Sequence, residues 1–204
     1  PALMQTAQTA MKNRAFILLG LLWPALPALA HTGALGDHVH TGFMAGLLHP
    51  FTGIDHLAAM LAVGVWSALA VRPVWVAPLA FVALLGAGAL GGLAGVAVPG
   101  VEPMIAASLL VTGLLIATRA QWPVWAAALV AGLFAFFHGA ARGMELSGVG
   151  VAQALAGMLI GSAALHLTGI GLGRWVFDQR RWLSAMAGGA VALLGSALLL
   201  RMAW

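Results

Sequence analysis

The sequence predicts an all-α integral membrane protein, a bundle of about six transmembrane helices that follow a cleavable signal peptide. Of the 204 residues, 62% are hydrophobic and only 7% are charged, and the mean hydropathy is +1.02. A water-soluble domain of this size would expose large apolar patches with such a composition. The apolar residues also form runs long enough to span a bilayer, and short segments with Arg, Pro or Gly separate these runs.

The beginning of the chain has the layout of a secretory signal peptide. We interpret residues 1–10 as an upstream extension and residues 11–30 as the signal peptide. Two basic residues precede a short apolar run, and Ala28-x-Ala30 is a typical cleavage site, so we expect cleavage before His31. The alternative is an uncleaved first helix, which the short run and its prolines disfavour.

Residues 31–41 are expected to form an external tail that bears histidines, and residues 42–204 a single transmembrane domain. The short connections between the spans force neighbouring helices to run antiparallel. The predicted spans are 54–71, 74–98, 103–118, 122–141, 150–173 and 182–203.

The arginines predict how these helices are oriented, because cytoplasmic loops retain Lys and Arg. The predicted inner arginines are Arg72, Arg119, Arg174, Arg180 and Arg181, and the outer ones are Arg142 and Arg201. We therefore expect a protein of the bacterial inner (cytoplasmic) membrane with both mature termini outside. The net charge of +4 is spread too thinly to form a basic stripe, so no nucleic-acid partner is expected.

Small residues recur at helical spacing in several spans, as in Gly157-x-x-x-Gly161. Such residues let helix backbones approach closely in a membrane, and they permit a homo-oligomer without requiring one. A nucleotide-binding loop is not supported, since no strand precedes these glycines and no lysine follows them.

Pro50 and Gly53 are expected to break the first spanning helix. Proline lacks the N–H that a helix interior requires. A short apolar piece, residues 42–48, precedes the break. Non-helical backbone at membrane depth is tolerated where it lines a cavity, and transporters place ion sites at such breaks.

Four candidate metal ligands surround this break, namely His49, Asp55, His56 and Met60. Imidazole, carboxylate and thioether groups suit nickel, cobalt or zinc better than magnesium or calcium. A lone histidine would more simply be a packed or capping residue. Two histidines and an aspartate within eight residues favour a functional site, because ionisable groups are unfavourable in lipid. The chain has no cysteine, which excludes disulfides and thiolate ligands.

A second cluster of ionisable residues lies in the later spans. On a continuous helix, His138 and Glu145 share a face with Arg142 between them. Glu145 is therefore either an ion ligand or the ion-pair partner of Arg142. His166 is a further candidate ligand, although a hydrogen bond to a neighbouring helix explains it nearly as well. Glu102 is expected at an outer loop, where it either attracts cations or interacts favourably with a helix dipole.

The predicted external tail carries His31, Asp37, His38 and His40. A free amine next to an imidazole can chelate a metal, so the tail is a candidate device for external metal capture. The alternative is that these are ordinary solvated residues of a loop.

The motif His49-Pro50-x-x-Gly53-x-Asp55-His56, with Met60 one turn later, resembles the first-helix motif of the HupE/UreJ family of hydrogenase and urease accessory proteins. Members of this family are regarded as nickel or cobalt permeases. The resemblance extends from the signal peptide to the last helix. It is supported by Pro99-Gly100-Val101-Glu102, Phe137-His138-Gly139, Glu145 and His166.

One departure from the family pattern concerns Arg142, where relatives often have a second histidine. A fixed cation at this place would repel an incoming divalent ion, or it would pair with Glu145 and act as a gate. An arginine in place of this histidine would therefore change which metal the protein prefers and how it transports the metal.

The resemblance implies a permease for a divalent cation (Ni²⁺ or Co²⁺, with Zn²⁺ as a further candidate) that is not an enzyme and holds no tightly bound cofactor. Imidazoles must be neutral to bind a metal, so uptake should weaken as the pH falls through the histidine range. Three alternatives stay open: an intramembrane protease, whose serines lack a nucleophile motif; a haem-binding electron carrier with His138 and His166 as axial ligands; and a metal-binding or sensing protein without translocation.

Overall fold

The computed structural model describes residues 42–146 and 149–203, and this part of the chain is helical with no β-strand. The expected signal peptide and the tail with His31, Asp37, His38 and His40 lie outside the described residues. The helices are α1 (Phe43–Leu48), α2 (Ile54–Ala70), α3 (Val76–Leu93), α4 (Val101–Thr118), α5 (Val124–Glu145), α6 (Val151–Leu172) and α7 (Arg181–Met202). A 3₁₀ turn (His49–Phe51) lies between α1 and α2, and a π-helical turn (Gly173–Phe177) follows α6.

Within the described ranges, five helices (α3 to α7) are long and apolar enough to cross a membrane. The pair formed by Phe43–Phe51 and Ile54–Ala70 is a sixth candidate span, bent by 80° at its break. The prediction of a multi-pass helical membrane protein is thereby confirmed. The largest difference in helix bounds is at the end of α3, which stops at Leu93 because Gly95 adopts the left-handed conformation (φ 76°) there.

Helix α2 is the most enclosed helix of the described bundle. More than half of its 17 residues are buried, and it contacts α3, α4, α6 and α7. Its Trp66 is fully buried, and the indole Nε1 donates a hydrogen bond to the carbonyl of Ala120 (3.2 Å). At the beginning of α2, His56 is buried by these neighbours, whereas Asp55 is partly exposed.

Glycines bring the backbones of α3 and α5 into direct contact. A Cβ added to Gly92 would lie under 3 Å from the backbone of Gly143 on α5, and one on Gly139 would overlap the carbonyl of Leu85. Pairs α2–α6 and α4–α7 are joined in the same way, through Gly64 with Gly169 and through Gly113 with Gly188. These contacts fix the positions of α5 and α6, which carry two of the predicted ligand histidines.

Candidate metal centre

The site is built around the bend between the 3₁₀ turn and α2. His49 lies in this turn and is partly buried, and its carbonyl accepts hydrogen bonds from the backbone N and the Oγ1 of Thr52 (3.0 and 2.8 Å). Gly53 is extended (φ −105°, ψ 124°) and precedes the first residue of α2. This geometry places Asp55 and His56 in the first turn of a helix that begins inside the bundle.

Asp55 and His56 contact each other through two groups. Asp55 Oδ1 accepts a hydrogen bond from the backbone N of His56 (2.9 Å) and lies 3.2 Å from His56 Nδ1. The Asp55 side chain is 34% exposed and the His56 side chain only 5%. A carboxylate can only accept, so this contact favours the His56 tautomer that is protonated at Nδ1. The lone pair is then on Nε2. Both ring nitrogens of His56 are buried, and neither makes a hydrogen bond with the described residues, so the link from Nδ1 to Asp55 is the 3.2 Å charge contact.

His138 on α5 meets His56 edge to face. Their ring centroids are 4.7 Å apart with an interplanar angle of 79°, and His138 is fully buried. His138 Nε2 lies 2.9 Å from Ser108 Oγ on α4, whereas its Nδ1 has no hydrogen-bond partner in the described part of the chain. Two sequence motifs that are distant in the chain are thus brought together.

His166 on α6 and His138 both contact the ring of Phe81. The Phe81 centroid is 5.8 Å from that of His138 and 4.8 Å from that of His166, and both Phe81 and His166 are buried. His166 Nδ1 donates a hydrogen bond to the carbonyl of Ser162 (2.5 Å), so its lone pair is on the buried Nε2.

Arg142 and Glu145 form an ion pair at the end of α5. Arg142 Nη1 lies 2.5 Å from Glu145 Oε2, and the arginine side chain is 5% exposed while the glutamate is 53% exposed. A Cβ added to Gly53 would lie 2.7 Å from Asp55 Oδ1 and 3.8 Å from Arg142 Nη2. The guanidinium therefore reaches the helix break from α5, and Glu145 is its partner.

Two candidates remain among the described residues. Met60 is buried (1% exposed) in the hydrophobic core of the bundle, one turn after His56. Glu102 is exposed in the first turn of α4. The roles predicted for Met60 as a ligand and for Glu102 at the entrance stay predictions.

The acidic and imidazole groups do not form a finished coordination sphere. Within residues 42–146 and 149–203, no three His, Asp or Glu side chains are arranged so that they could hold a metal ion. Asp55, His56 and His138 are neighbours, but their donor atoms do not converge. Binding of an ion would require a side chain such as that of His56 to turn, and the broad χ2 torsion of histidine permits this.

Sequence reasoning did not identify Ser108 and Phe81 as residues of this site. Ser108 is one of several serines in the predicted spans, none of which lies in a nucleophile motif, and Phe81 is one apolar residue in an apolar run. Helical spacing predicts which residues of one helix share a face. It does not predict which residues of α3, α4 and α5 contact each other. No signal in a single sequence would have found them.

The fold and the site define a multi-pass helical membrane protein with a buried imidazole cluster at a break in its first described span. A model of the HupE / UreJ protein family matches residues 19–198. Protein HupE from Rhizobium leguminosarum bv. viciae is 44% identical over 178 residues, which cover 86% of this chain and 92% of that protein. The chain therefore belongs to the HupE/UreJ family, which confirms the resemblance noted in the sequence. No solved structure matches it.

Proposed function

We propose that this protein is an inner-membrane permease for a divalent transition metal ion, nickel or cobalt with zinc as a further candidate, that supplies the maturation of hydrogenase or urease. Membership of the HupE/UreJ family supports the accessory role. The observation that carries the proposal is the contact between His56 and His138 beside Asp55. These side chains supply the nitrogen and oxygen ligands that such ions prefer.

Three imidazole nitrogens in this region support a binding role. His56 Nε2, His138 Nδ1 and His166 Nε2 are buried and have no hydrogen-bond partner among the described residues. A buried polar atom without a partner destabilises a protein by about 1–3 kcal/mol, so such atoms need an explanation. A metal ion that accepts the lone pairs of these nitrogens would explain why they are left without partners.

The arrangement suggests an order in which an ion would pass. Asp55 is the most exposed of the clustered groups and would meet the ion first, followed by His56 and His138. His166 would receive the ion beyond Phe81. His49 and Met60 would supply further ligands at the break, which we attribute to Pro50 and Gly53.

The outer side of the site has its own proposed parts. The external tail with His31, Asp37, His38 and His40 would capture scarce ions, and Glu102 would attract them to the entrance. The ion pair between Arg142 and Glu145 would act as a gate. These assignments assume a cleaved signal peptide and both mature termini outside the membrane.

Uptake would be driven by the membrane potential or by a coupled ion gradient, because the sequence has no nucleotide-binding motif. The membrane potential favours entry of a divalent cation by about 4.6 kcal/mol at 100 mV, which is twice the value for one elementary charge.

Uptake of radiolabelled nickel and cobalt into proteoliposomes tests this proposal. Asp55→Asn and His56→Ala should abolish the flux at equal protein content. Asp178→Asn is a matched control, since Asp178 is an exposed aspartate (66%) paired with Arg119 (3.9 Å). Flux that persists in both site variants would refute this assignment of the site.

A second candidate function is metal binding or sensing without translocation. It is favoured by Phe81, which contacts both His138 and His166 and places an apolar ring next to two of the proposed ligands. Tight nickel binding by the purified protein, together with no flux in proteoliposomes that hold a membrane potential, would establish this alternative over the permease.

A further inference from the structure

We propose that Ser108 is a positioning residue that holds neutral His138 in the tautomer protonated at Nε2, so that Nδ1 is the atom that binds the metal ion. This inference rests on the proposed function and adds a residue from α4 to the site. The observation that carries it is a pair of short contacts made by a single hydroxyl oxygen.

Ser108 Oγ lies 2.6 Å from the carbonyl oxygen of Ile105 and 2.9 Å from His138 Nε2. A serine hydroxyl has one proton, and a backbone carbonyl can only accept. If the proton pointed to the imidazole, two lone pairs would face each other across the 2.6 Å contact. The hydroxyl must therefore donate to Ile105, and its oxygen accepts the proton of His138 Nε2–H.

The same hydrogen bond determines which imidazole atom is free. With the proton on Nε2, the lone pair of neutral His138 is on Nδ1. That atom is buried and has no hydrogen-bond partner in the described ranges, and its ring contacts His56. His138 is 0% exposed and Ser108 only 2%, so water does not compete for this contact.

Other groups around His138 do not substitute for Ser108. Phe81 contacts the ring through an apolar face, and His56 approaches it edge to face. Partners that orient a ligand histidine in this way typically change metal affinity by about 10–100-fold when they are removed.

Nitrogen NMR of the purified protein in lipid, labelled with ¹⁵N-histidine and free of metal, tests the tautomer directly. His138→Gln identifies the signals of His138. We expect Nε2 to be protonated in the unsubstituted protein. Ser108→Ala should convert His138 to a mixture of tautomers or to the Nδ1–H form, and Ser108→Thr, which keeps a hydroxyl, should restore the original signals.

Nickel binding to the same proteins tests the consequence for the metal. Ser108→Ala should lower the affinity about 10–100-fold, and Ser108→Thr should recover most of it. Thr112→Val is the matched control, because Thr112 is equally buried on the same helix and its hydroxyl donates to the Ser108 carbonyl. Thr112→Val should leave the His138 tautomer and the nickel affinity unchanged.

The outcomes separate this inference from the function on which it rests. An Nδ1–H tautomer in the unsubstituted protein, or an unchanged tautomer and affinity in Ser108→Ala, would overturn the role of Ser108 alone. Failure of the unsubstituted protein to bind nickel would overturn the proposed function and the metal-binding part of this inference. If Ser108→Ala does not fold, the tautomer of the unsubstituted protein decides.

Discussion

The imidazole of His56 meets that of His138 edge to face with 4.7 Å between the ring centroids, although the two residues belong to α2 and α5. One ring is held next to a carboxylate and the other next to a hydroxyl. The pair therefore joins the first-helix motif and the second histidine motif into one candidate site, and several properties of the protein should depend on it.

The first prediction concerns the interdependence of these two histidines. His56→Ala and His138→Ala should each lower the affinity for nickel by more than the about 10–100-fold that loss of an orienting partner causes, since each removes a ligand of the same ion. The double variant should be little weaker than either single one. Titration calorimetry of the purified proteins measures this. Losses that add fully would show that the histidines serve separate sites.

A second prediction uses two adjacent glycines of α3. A Cβ at Gly92 would collide with the backbone of α5, whereas a Cβ at Gly91 would have no described atom within 4 Å. Gly92→Ala should destabilise the protein by about 1–3 kcal/mol through overpacking. Gly91→Ala should be neutral or stabilising by up to about 1 kcal/mol because alanine favours helix. Thermal unfolding in detergent measures both, and equal effects of the two substitutions would contradict the close approach of α3 and α5.

Third, removal of the buried cation at the helix break should strengthen metal binding. Arg142 reaches the vicinity of Asp55, and its charge repels a divalent ion there. Arg142→Gln should raise the affinity for nickel on the order of tenfold, equivalent to about 1.4 kcal/mol. Arg201→Gln, at an exposed arginine near the end of α7, is the control and should have no effect. A weaker affinity in Arg142→Gln would mean that the guanidinium supports the site instead.

Fourth, the predicted orientation can be read from single cysteines, because the chain has none of its own. Glu102, in the first turn of α4, and Gln121, beyond the opposite end of this helix, are both exposed. Glu102→Cys should react with a membrane-impermeant maleimide added to intact spheroplasts, and Gln121→Cys only after the membrane is permeabilised. The reverse pattern would show that the protein has the opposite membrane orientation to the one predicted from its arginines.

The spans could be predicted from the sequence because the length of an apolar run is a property of consecutive residues. All described helices lie close to their predicted ranges, and the short piece before the break begins at Phe43. The glycine-mediated packing was also predictable in kind, although not which glycines meet. Gly188 contacts α4, whereas its neighbour Gly189 has no described atom near its added Cβ.

The site was predictable only in its ligand types. His56 and His138 stood out because ionisable groups are rare in spans, but their contact depends on how α2 and α5 pack. The sequence left Glu145 either as an ion ligand or as the ion-pair partner of Arg142. The structure shows the ion pair, which forms because the two residues lie three positions apart at the end of α5. Ser108 and Phe81 carry no local signal and enter the site only through packing. The binding of a metal by these residues stays a prediction.

The ring of Phe81 has a consequence for protons as well as for metal ions. Protons cross membranes along chains of groups that both donate and accept hydrogen bonds, and a phenyl ring does neither. Phe81 contacts both His138 and His166, and a proton cannot pass from one imidazole to the other by way of this ring. A side chain with a hydroxyl group at the same place would instead offer the two histidines a hydrogen-bonded link along which a proton could move.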